Sequence, residues 1–91
     1  MTVGEALEKW AKLNGKSDPR PMLDSYFYSH IFVNDTWGGR SYAEHEAWCN
    51  DSLGPENWHR EFAKFWFTSQ SDLTMFKMVW FEADKRKGLL P

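Results

Sequence analysis

Phe62-Ala63-Lys64-Phe65-Trp66-Phe67-Thr68-Ser69-Gln70-Ser71-Asp72-Leu73 decides the fold. Its first seven residues are rich in aromatic rings and carry one charge, Lys64, which is the composition of a strand. Ser69 and Asp72 then make an S-x-x-D start, so the spacing predicts a helix from Leu73 to about Phe81. Leu73, Met75, Phe76, Met78, Val79, Trp80 and Phe81 are apolar almost all round that helix. A helix of this kind is either fully buried or covered in part by another chain.

Working outward, Glu56 to Arg60 reads as a connection, preceded by a helix with clear ends. Ser41-Tyr42-Ala43-Glu44 is a capping box that opens it, and Leu53-Gly54-Pro55 closes it. Tyr42, Cys49 and Leu53, with Ala43 and Ala47, share its inner side, while Glu44, Asn50 and Asp51 are solvated. Thr36 to Gly39 is a turn, and Ser25 to Val33 is a second strand, aromatic and β-branched. Alternation places Tyr26, Tyr28, His30 and Phe32 on one face of that strand and Phe27, Ser29, Ile31 and Val33 on the other. Period alone does not select the inner face. Lys16 to Pro21, with its two prolines, reads as a linker. Thr2-Val3-Gly4-Glu5 is another capping box, opening a helix with Val3, Ala6, Leu7, Trp10 and Leu13 on one side and Asn14-Gly15 as its stop.

The expected fold is one α+β domain over residues 1–91 in the order α-β-α-β-α. Three helices lie on one side of a small antiparallel or mixed sheet of two to three strands, the third supplied by a linker or a second protomer. Residues 1–15 form the first helix, and 82–91 form a charged tail that frays.

Six Trp, seven Phe and three Tyr exceed what so short a core requires, which points to a dense interior plus aromatic surface. Thirteen acids against eleven bases create no field that gathers phosphate backbones, so nucleic acid ranks below protein as a partner. From Asp35 to Glu61, six acids stand against Arg40 and Arg60, a stretch able to face a basic partner. One cysteine rules out an internal disulfide framework and favours a reducing compartment. With no apolar leader and no run of about 18 apolar residues, a cytoplasmic location and no membrane contact are expected.

Catalytic chemistry has no visible carrier. His45 and Cys49 have the spacing of two ligands sharing an ion, with His59 or His30 to complete a set. A lone cysteine without a second spaced pair instead predicts a surface His45 beside a half-buried Cys49, and no metal or cofactor. Glu46 and Asp51 raise the Cys49 pKa, contrary to what a nucleophile needs. Glu44 and Glu46 point to different helix faces, and there is no nucleophile elbow or phosphate-binding loop. The chain is therefore expected not to be an enzyme.

Residues Phe65 to Trp80, an aromatic strand ending in Asp72-x-x-x-Phe76-Lys77-Met78-x-Trp80, resemble a segment of small uncharacterised proteins of tailed bacteriophages. The resemblance implies an early-expressed type of protein that binds a host or phage macromolecule in the host cytoplasm and has no catalytic residues.

Together these readings predict a non-catalytic protein that binds and modulates a larger protein, in host takeover or anti-defence. Trp37, Trp58 and Tyr28 are the candidate anchors, with Glu44 and Glu46 as acidic contacts. Homodimerisation through Met75, Val79 and Trp80 is another use of the apolar surface. The alternative function is a single-stranded nucleic-acid or nucleotide module that stacks bases on Tyr26, Tyr28 and Trp66 beside Lys64. A subsidiary anion site falls at Gly39, Arg40 and Ser41, where a Gly-rich turn meets a helix start.

Overall fold

The central strand is built from the segment quoted first. The computed structural model describes residues 1–15, 17–32 and 41–86, the side chains of 81–86 excepted. In it β3 (Lys64–Phe67) pairs antiparallel with β1 (Tyr28–Ile31) on one side and β2 (Trp58–Glu61) on the other. Phe65, Trp66 and Phe67 are consecutive and fully buried. Successive strand residues point to opposite faces, so three buried in a row require cover on both faces of the sheet.

Helices supply that cover from both sides. On the face of Phe65 and Phe67 lie α3 (Ala43–Ser52) and α4 (Gln70–Arg86), packing Phe32, Tyr42, Cys49, Phe76 and Trp80 into the main core. Over Trp66 lie α1 (Val3–Asn14) and α2 (Arg20–Tyr26), which contribute Val3 and Leu23, with Leu7, Met22 and Phe27 packed around them. The α+β class therefore holds, with four helices among the described residues rather than three, and on two sides of the sheet rather than one.

The extra helix is α2, where a linker and the start of a strand were expected. Pro19 and Pro21 sit at its first turn, where a backbone N–H would have no intrahelical partner, so proline starts a helix as readily as it stops one. Asp18 accepts hydrogen bonds from the Arg20 backbone N–H at 3.0 Å and from the Arg20 guanidinium. Trp58 to Glu61, expected as a connection, is the third strand, and it comes from within the chain. The β2–β3 turn is only Phe62-Ala63, and Phe62 lies in the left-handed region at φ 54°, a conformation glycine takes more easily.

Local signals set the other ends. The Glu5 N–H donates to Thr2 Oγ1, the N-cap bond of the predicted box, and the Glu5 carboxylate accepts from the Thr2 hydroxyl rather than from its backbone N–H. Gly54 at φ 93° ends α3, its N–H donating to Cys49 O. Asp72 N–H donates to Ser69 Oγ, but α4 begins at Gln70, three residues before the expected start, and continues through Arg86. Gly4 lets α1 approach the single 3-10 turn at Pro55–Asn57, since a Cβ there would stand 3.2 Å from Glu56 Cα. No helix among the described residues is long and apolar enough to cross a membrane.

Candidate functional site: the groove between α1 and α2

The two helices over Trp66 meet the sheet with their inner sides and leave a groove of about 480 Å³ between them. Among the described residues its walls are Met1, Ala6, Lys9, Trp10 and Leu13 on one side and Met22, Tyr26 and Phe27 on the other. Leu13 is 83% exposed, Tyr26 75% and Met1 70%. Leu13 belongs to the same apolar side of α1 as Val3 and Ala6, but it lies nearly two turns past Leu7, the last residue of α1 packed against the core, and is left at the surface. The Trp10 indole N–H donates to Ser17 O at 3.0 Å, so this ring offers the groove an apolar surface with its polar atom already used. Lys9 is the one charged side chain on the walls, and it makes no ion pair among the described residues.

A second apolar surface runs along the outside of α4. Phe76 and Trp80 turn inward, while Met75, Met78 and Val79 are exposed beside a shallow depression that includes Gln70, Ser71 and Thr74. The expectation that this helix is apolar beyond what the core consumes is thereby located on Met75, Met78 and Val79, with Trp80 on the buried side.

The residues singled out from sequence are dispersed. Trp37, Gly39 and Arg40 lie outside the described residues. Ser41 is exposed and its hydroxyl accepts from Ala43 N–H at 3.4 Å. Tyr28 is exposed on edge strand β1, opposite Phe67. Trp58 is half-buried, its ring 6.1 Å from Phe65 in a stacked arrangement and its N–H donating to Asn50 Oδ1. Glu44 is exposed on the first turn of α3, and Glu46 pairs with Arg60 at 3.5 Å.

Of the four residues proposed to bind nucleic acid, Tyr26 lines the groove and Tyr28 is on the opposite side of the sheet from Trp66. Trp66 has no exposed surface. Its N–H donates to Asp24 Oδ1 at 2.8 Å, and the Lys64 ammonium sits 2.7 Å from the same oxygen and over the indole ring. The hydrogen bond from Lys64, with that from Trp66, holds the Asp24 carboxyl below the usual carboxylate range. The open aromatic sheet face is thus absent from the described residues, because a two-sided strand needs helices where the bases would lie.

His45, expected at the surface, is buried and stacks on Trp80 at 3.9 Å. The rings of Phe32, Tyr42, Phe65 and Phe76 stand around its imidazole. Among the described residues no group of three or more His, Cys, Asp or Glu side chains is placed to hold a metal. Cys49 is fully buried, and burial first, then Glu46 and Asp72, push its thiol up to about 12. No reactive thiolate is available there at neutral pH.

Sequence reasoning missed Lys9, Trp10, Met22 and Phe27 as members of one site. The available signal was Leu13, which carries the apolar side of α1 into its last turn, beyond the residues that a core of this size takes up. No protein-family model, curated protein or solved structure matches the chain.

Proposed function

We propose that this chain is a non-catalytic interaction protein that binds a larger protein through the groove between α1 and α2. The observation that carries the reading is the convergence of Leu13, Tyr26 and Met1 on one concavity whose other walls, Trp10, Met22 and Phe27, are also apolar. Concave apolar sites with few polar groups are where proteins take up ligands, and Trp and Tyr dominate interface anchoring. The inert Cys49 and the packed His45 give no support to a chemical role. Under this proposal the partner is a host or phage macromolecule in the host cytoplasm, the reading that goes with the expected resemblance of Phe65 to Trp80 to phage proteins.

Immobilised wild-type protein is expected to retain a partner from a host lysate, Met78→Asp to retain the same partner, and Leu13→Asp to lose it. All three should show the same thermal transition, since Leu13 and Met78 are both solvent-exposed. Retention unaffected by Leu13→Asp, or lost with Met78→Asp, overturns the assignment of the groove.

A further inference from the structure

We infer that the occupant of the α1–α2 groove is an amphipathic helix whose apolar ridge is flanked by a carboxylate that meets Lys9, an inference that rests on the function proposed above. Apart from Met1 and Phe27, which stand just outside α1 and α2, both walls are helical, so the backbone N–H and C=O groups of their interior turns are spent within the two helices. An extended peptide laid between them would bring unpaired backbone groups against apolar side chains and find no partners. A helical segment satisfies its own backbone and presents side chains only, which is the helix-in-groove mode with anchors at i, i+3 or i+4, and i+7. The twelve residues of α1 extend about 18 Å, enough to accompany two turns of such a segment.

The charge of the segment follows from Lys9. It is the only charged side chain on the groove walls among the described residues, and neighbouring Lys12 already pairs with Glu8. A cationic residue beside the incoming ridge would oppose Lys9, whereas a Glu or Asp would pair with it at the edge of an apolar contact, which selects partners more than it adds affinity. Tyr26 and Leu13, the most exposed of the apolar wall residues, are the side chains that an apolar ridge would cover.

Two synthetic helical peptides test this, identical in a Leu ridge at i, i+3 and i+7 and differing only in a flanking Glu or Lys. Chemical-shift mapping is expected to place the Glu peptide against Trp10, Leu13 and Tyr26, with the Lys peptide binding about fivefold more weakly. Lys9→Glu should reverse that order, and Leu13→Asp should abolish binding of both. If both peptides bind in the groove with equal affinity, or Lys9→Glu leaves their order unchanged, the acidic helix is wrong while the groove stands as a docking site. If an extended, proline-interrupted version of the Glu peptide binds as well as the helical one, the helical occupant is wrong. If neither peptide perturbs the groove residues while the lysate partner is still lost with Leu13→Asp, the partner is not a helix of this kind. Loss of the lysate partner's dependence on Leu13 removes the proposed function itself.

Discussion

Cys49 shows how a single position can look chemical and be structural. It shares a helix face with His45, yet both side chains serve the aromatic core, where His45 lies flat on Trp80 and the thiol has no exposed surface. The thiol's ordinary value is 9.0 and its folded value about 12, so folding favours the protonated form. That contribution is fully present below the unfolded value and is lost as pH rises through the interval between the two. Stability measured by urea unfolding is therefore expected to fall more steeply between pH 9 and 12 in the wild type than in Cys49→Ala. Parallel pH profiles for the two proteins would refute this. Phe62 is a residue-scale oddity of a different kind, an exposed ring on a left-handed backbone in a two-residue turn. Local propensity would have placed glycine there.

Among the elements, α2 depends most on the rest of the chain. Seven residues with proline in the first turn have little helical stability of their own. What holds α2 is Leu23, buried against Val3 and Trp66, and Asp24, which ties it to β3 through Trp66 and Lys64. Asp24→Ala leaves the buried Trp66 N–H without its acceptor, which costs about 1–3 kcal/mol. Asp24→Asn keeps an acceptor for the indole and is expected to cost less, because the half-exposed pair with Lys64 adds under about 1 kcal/mol. The depressed Asp24 pKa sets the sign with pH. Its contribution is present above the ordinary value of 3.8 and disappears as pH falls through the lower folded value. Unfolding midpoints of wild type and Asp24→Asn should thus converge on acidification. A gap that persists at the lowest pH where the protein folds would disprove the role of the charge.

On the scale of the whole molecule, one short strand joins two helical layers. Phe65 and Phe67 belong to the α3–α4 side and Trp66 to the α1–α2 side, so the groove is held in place by the same indole that fills the second core. Trp66→Ala is expected to remove about 3–5 kcal/mol, a large share of the stability of a domain this size. It should abolish groove binding together with the folded state, whereas Leu13→Asp should abolish binding and leave circular dichroism unchanged. Binding retained by Trp66→Ala would place the partner site elsewhere.

What the amino-acid sequence determined by itself is whatever depends on neighbours within a few residues. The strand at Lys64–Phe67, the helix that follows it, the capping box at Thr2 and Glu5 and the Gly54 stop were all legible, because propensity and capping act locally. The surplus of apolar side chains was legible as composition, not as a place. Tertiary structure alone decided that Arg20–Tyr26 is a helix, that Trp58–Glu61 is a strand and that the sheet is covered on both faces. Both segments are locally ambivalent: Arg20–Tyr26 is settled by contacts about forty residues away in sequence, of which the Asp24 to Trp66 hydrogen bond is one, and Trp58–Glu61 by its pairing with β3 across the Phe62-Ala63 turn. The groove exists only once α1 and α2 lie side by side over Trp66, and no periodicity along the chain records that juxtaposition.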